Sequence, residues 1–263
     1  MEEPGMAVLV LLLGFGISCL SGLLGIGGGI VMAPALLYLP PLLGVGALDM
    51  RQVTGLTITQ GLFACLSGAF RHAGYRQVHR RLAAWMGAAI ALSALAGSLL
   101  SHFVANEVLM AIFAGLAIVG GVLMGVPRED GEDVEDAGAL PFNLPLAIAI
   151  AVSVGLLGGL VGQGGSFILI PLMLYGLRLP TRVVIGSNLA IVFLSSLAGF
   201  AGKLATGQVP YFLAALLVAG AVPGAQVGGV LSLRTSPGWL RRGLAVVIIL
   251  AALGMVTDLL TRG

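Results

Sequence analysis

At 263 residues, 58% hydrophobic and only 9% charged, the chain has too few charged side chains to cover a soluble domain of its size, which leaves a polytopic membrane protein. A formal net charge of +2 is too small to argue for nucleic acid, and the expected surroundings are the lipid bilayer. Cys19 and Cys65 stand apart inside apolar segments and form no CxxC pair, so neither a disulfide framework, a metal site nor a cofactor is expected.

The first residues, MEEPG, are acidic and lack the basic n-region of a secretory signal, so the first apolar stretch is expected to stay in the mature protein. Apolar segments follow at 6–24, 30–43, 53–70, 82–103 and 108–126. An acidic stretch, REDGEDVEDAG at 128–138, reads as a solvated linker. Five more apolar segments lie at 144–161, 167–179, 183–202, 211–233 and 240–260. Most can cross a hydrocarbon core of about 30 Å as helices; the two that directly follow glycine clusters are shorter. The predicted organisation is a membrane repeat at 1–127, a cytoplasmic linker at 128–141 and a second membrane repeat at 142–263.

The two halves align. GIGGGIVMAPALLY (25–38) lies over GQGGSFILIPLMLY (162–175), which pairs Pro34 with Pro171 and Tyr38 with Tyr175. After a six-residue shift Arg51 falls on Arg182, Gly55 on Gly186, Thr57 on Asn188, His72 on Lys203, and Gln77-Val78 on Gln208-Val209. Basic residues decide the orientation of each half, because short basic loops stay in the cytoplasm. In the first half Arg71, Arg76, Arg80 and Arg81 follow the third segment, where the second half has only Lys203. There the basic residues sit instead at Arg178, Arg182, Arg234, Arg241 and Arg242. A bias that changes sides predicts inverted repeats of five helical segments each, with both termini outside the cell membrane.

The glycine clusters predict broken helices, as the tips of hairpins that meet near the centre. Contiguous glycines, unlike the seam Ala89/Ser93/Gly97/Ser101 or its counterpart Gly220/Gly224/Gly228, cannot form one packing stripe. Each also lowers helix propensity by about 1 kcal/mol. Irregular backbone inside a membrane persists only where protein buries it or where it lines a cavity, and a helix that restarts there offers N–H groups to an anion. Pro34 and Pro171 are expected near the start of the second arms, where a missing N–H costs least. The candidate substrate-binding residues are therefore Gly27, Gly28, Gly29, Gln163, Gly164, Gly165 and Ser166, with Thr54, Thr57, Ser187 and Asn188 on the following segments. Thr59 and Gln60 lie on the same stretch as Thr54 and Thr57.

Acidic residues are absent from the middle of every segment, so proton or sodium coupling has no evident carrier. His72, His79 and His102 fall at segment ends and read as interfacial, and Lys203 as a snorkelling residue. With no embedded His or Asp to activate Cys19 or Cys65, an enzyme is not expected.

GLLGIGGGIVMAP (22–34), GGLVGQGGSFILIP (158–171) and VVIGSNLA (183–190) resemble the sulfite exporter TauE/SafE family of membrane transporters, and the likeness covers nearly the whole chain. Ser166 in place of Gly29, and Leu56 in place of Ser187, mark the two halves as unequal. The resemblance implies transport, usually export, of a small sulfur-containing anion such as sulfite, thiosulfate or an organosulfonate. Combined with the inverted repeats, it predicts an alternating-access exporter in the inner membrane; the alternative is an importer or channel for thiosulfate or another small anion. The small-residue seams fit helix packing within one protomer or between two, which leaves a homodimer open.

Overall fold

The computed structural model describes residues 4–24, 29–72, 79–125, 140–163, 165–232 and 254. Among these, all regular structure is helical: α1 (Pro4–Leu24), α2 (Gly29–Leu42), α3 (Met50–His72), α4 (Arg80–Leu100), α5 (Asn106–Gly125), α6 (Leu144–Val161), α7 (Ser166–Pro171) with a π-helical turn at Leu172–Gly176, α8 (Thr181–Ala205) and α9 (Tyr211–Ser232). Nine of the ten expected segments thus appear as helices, while the last one and the acidic linker lie outside the described residues. Six helices, α1, α4, α5, α6, α8 and α9, are long and apolar enough to cross a membrane.

α3 is different. Its residues 53–62 are all buried, on every side of the helix, and include Thr54, Thr57, Thr59 and Gln60. A helix enclosed on all faces sits inside the bundle, so its polar side chains meet protein and not lipid. On the outer helices, Leu92, Val122 and Phe212 are among the large apolar side chains left exposed, as a lipid-facing surface requires.

Small residues set the packing. α1 lies parallel to α9: a Cβ on Gly14 would strike the Leu217 carbonyl, and one on Gly22 the Ala225 carbonyl. α4 lies parallel to α6, with Gly159 against the Ala94 carbonyl and Gly97 against the Leu156 carbonyl. In the alignment of the halves Gly22 corresponds to Gly159 and Ala225 to Ala94, so the two helix pairs repeat one contact. Gly228 against Cys19 repeats Gly97 against Leu156 in the same way. α3 and α8, which also correspond, cross antiparallel: Gly61 faces Ser196, Gly199 faces Ile58, and Gly55 lies on the Gln208 backbone. We expect Gly22→Val and Gly159→Val to cost similar amounts, about 1–3 kcal/mol each by overpacking. Thermal unfolding followed by size-exclusion chromatography checks this, and a loss confined to one variant would break the equivalence of the two contacts.

Candidate functional site

The second glycine cluster breaks the chain between α6 and α7. Gly162 caps α6 in the left-handed region at φ +71, and its N–H, like that of Gln163, returns to the Gly158 carbonyl. Gly165 repeats the left-handed geometry at φ +77, and its carbonyl accepts from the N–H groups of Ile168 and Leu169. Both positions need glycine for space as well as conformation: a Cβ on Gly162 would collide with the Thr54 carbonyl, and one on Gly165 with the Val154 side chain. The short second arm also differs from expectation. Pro34 and Pro171 are each the sixth residue of their helix, beyond the first turn, so each removes a bond to the carbonyl four residues earlier. After Pro171 the chain continues in π register, with the Leu177 N–H reaching back to Leu172. Only six residues of this arm are α-helical, which leaves it a weak dipole.

The first glycine cluster lies between α1, described to Leu24, and α2, described from Gly29; Gly27 and Gly28, like Gly164, lie outside the described residues. The first described residue of α2 touches the second break. Gln163 Nε2 donates to the Gly29 carbonyl at 3.3 Å, and a Cβ on Gly29 would rest 3.5 Å from Gln163 Cγ. Gln163 is buried, and its Oε1 has no partner.

Thr54 lies under Gly162, its Oγ1 donating to the Arg51 carbonyl at 2.8 Å, and Thr57 Oγ1 donates to the Thr54 carbonyl at 3.1 Å. Gln60 Nε2 donates to Ser18 Oγ at 2.9 Å, while Gln60 Oε1 is buried without a partner. On α8, Asn188 is buried and its Oδ1 also lacks a partner. The structure therefore gathers Gly29, Gln163, Gly165, Thr54 and Thr57 around the second break. Ser187 is engaged elsewhere, since its Oγ accepts from the His79 N–H at 3.0 Å. Ser166 opens α7, and its side chain is outside the described set.

Two further sequence expectations are corrected. Lys203 does not snorkel to the interface: it is fully buried, because α8 turns it toward α3, α4 and the end of α6. Its Nζ donates to Ser101 Oγ at 2.6 Å, Thr54 Oγ1 at 2.7 Å, Gln208 Oε1 at 3.0 Å and the Leu160 carbonyl at 3.2 Å. Ser101 and Gln208 were thus missed as partners; the repeated Gln-Val pair was the available signal. His79 is buried as well. Its Nδ1 accepts from the Leu82 N–H to cap α4, its Nε2 lies 3.0 Å from the Leu140 carbonyl, and Phe142 packs edge-on to the ring. His102 stays exposed beside Phe103.

Cys19 and Cys65 are free thiols, and no cluster of three metal-ligating side chains occurs among the described residues. The family model described as "Sulfite exporter TauE/SafE" matches residues 10–255. The chain is 25% identical to the "Probable membrane transporter protein YunE" of Bacillus subtilis, over 95% of this chain and 97% of that one. It is 26% identical to a "Probable membrane transporter protein" of Xylella fastidiosa over 89% of each chain. Against the "Probable membrane transporter protein MJ0441" of Methanocaldococcus jannaschii it is 24% identical, over 77% of this chain and 74% of the relative. No solved structure matches the chain. With a family match that runs from α1 past α9, a bundle of apolar helices and relatives named as transporters, the chain belongs to the sulfite exporter TauE/SafE family and is a multi-pass membrane transporter.

Proposed function

We propose that the protein exports a small sulfur-containing anion, sulfite or an organosulfonate, by alternating access between two inverted repeats. The observation that carries this reading is the contact of Gly29, where the described part of α2 starts, with Gln163 in the second glycine break, in a buried polar lining to which no carboxylate among the described residues contributes. On this reading the first glycine cluster interrupts the chain ahead of α2, whose first N–H groups then face the anion. Gln163, Thr54, Thr57 and Asn188 orient the anion there, with Gly27, Gly28, Gly164, Gly165, Ser166 and Ser187 completing the proposed surroundings. The antiparallel crossing of α3 and α8 supports inversion, since counterparts in a parallel repeat run the same way. The family description supplies the sulfur.

Export needs no coupling ion. With the interior negative, moving one negative charge outward is downhill by about 2.3 kcal/mol per 100 mV. In proteoliposomes loaded with radiolabelled sulfite, efflux is expected to rise when potassium and valinomycin set an interior-negative potential. Efflux indifferent to voltage and dependent on a proton gradient would refute this mechanism. An absence of sulfite flux at any voltage would turn the assignment to thiosulfate, organosulfonates or import.

A further inference from the structure

Among the described residues, Lys203 is a cation enclosed completely by protein, and every group it touches is neutral. The ring around it is oriented for a positive charge. Thr54 Oγ1 donates onward to the Arg51 carbonyl and Ser101 Oγ to the Ser98 carbonyl, so both hydroxyls turn lone pairs to Nζ. Gln208 Nε2 points away, to Thr206 Oγ1 at 2.7 Å, which aims Oε1 at the ammonium. The same corner holds a second cation: the Arg51 guanidinium donates to the Val104 carbonyl at 2.9 Å, three residues beyond Ser101. Asp49, the nearest acid along the chain, is exposed and accepts from the Gln52 N–H at the start of α3. A buried charge without a counter-ion is costly, and solvating dipoles offset that only in part.

Lys203 adjoins the proposed site: Leu160, whose carbonyl accepts from it, is two residues before Gly162; Gly162 rests on Thr54, and Gln163 contacts Gly29. We infer that Lys203 is the charge that selects the transported anion. Its ammonium, held ready by Thr54, Ser101 and Gln208, exchanges one of these oxygens for an oxygen of the anion. This rests on the reading of the protein as an anion transporter and adds to it a binding residue and a charge rule: small oxyanions bind, neutral analogues do not.

The test uses the full chain in proteoliposomes with Cys19→Ser and Cys65→Ser, and Ser101→Cys as a reporter. Modification rates are measured with anionic 2-sulfonatoethyl and cationic 2-(trimethylammonio)ethyl methanethiosulfonate, with Lys203 intact, Lys203→Arg or Lys203→Met. The anionic reagent is expected to be favoured with lysine or arginine, and the ratio of rates to fall by about tenfold with methionine. A ratio that methionine leaves unchanged, or a thiol that neither reagent reaches, overturns the inference. Gln208→Cys serves as reporter where Ser101→Cys does not give a monodisperse protein. Sulfite efflux separates the two readings. If the ratio shifts but wild type moves no sulfite, Lys203 stands and the sulfite assignment falls. If wild type and Lys203→Met move sulfite equally, Lys203 falls and the transporter reading stands.

Discussion

Gly162→Leu is expected to abolish transport and to lower the thermal midpoint sharply. Two costs add at this position. A side chain at φ +71 forces an L residue into the left-handed region, which costs about 1–2 kcal/mol. Its Cβ would also occupy the space of the Thr54 carbonyl, and relieving that clash by shifting α3 against α6 costs about 1–3 kcal/mol more. The second cost is the functional one, because Thr54 is held by Gly162 on one side and by Lys203 at 2.7 Å on the other. Gly207 separates the two effects. It has nearly the same backbone, at φ +68, but open space where a Cβ would be. Gly207→Ala should therefore lose about 1 kcal/mol and keep its flux, whereas Gly162→Ala should lose more and transport poorly. Unfolding midpoints and sulfite efflux on the same preparations decide. Equal behaviour of the two alanine variants would mean that the close approach to Thr54 plays no part.

Most helices were legible because apolar runs and their interruptions are local properties. The run at 144–161 became α6 residue for residue, and Gly162 after it became the left-handed cap. Two positions aligned in the sequence make matched contacts, Gly22 with Ala225 and Gly159 with Ala94. What sequence could not supply was which side of a helix meets lipid. Lys203 stands near the end of an apolar run, and on a lipid-facing helix it would snorkel. On α8 that side is covered by α3, α4 and the end of α6, so the same residue becomes a buried charge. His79 follows the same logic, since the fold brings Ser187 and Leu140 to it from far along the chain. Thr54, Thr57 and Gln60 were marked as polar, but only the enclosure of α3 on all sides shows why a polar helix is tolerated. Ser187 looked equivalent to Asn188 by adjacency, yet neighbours on a helix point about 100° apart, and one of them caps a contact to α4.

Gln163→Glu is expected to stop anion transport. The substitution keeps shape but adds a charge at a buried position, a cost the fold bears too, so size-exclusion chromatography of the variant accompanies the flux assay. Two consequences follow. The donor to the Gly29 carbonyl, now 3.3 Å away, becomes an acceptor, and the link between α2 and the second break is lost. Any anion entering between them also meets a like charge, a penalty of about 4 kcal/mol at 4 Å and an effective dielectric of about 20, or roughly a thousandfold in occupancy. Gln163→Leu isolates the first consequence. It removes one neutral hydrogen bond, typically about 1 kcal/mol, so flux should fall only about fivefold. The comparison is efflux of radiolabelled sulfite at one fixed potential. A large gap between the glutamate and leucine variants places the anion at Gln163. Equal losses would reduce Gln163 to a strut against α2 and move the anion's path elsewhere in the bundle.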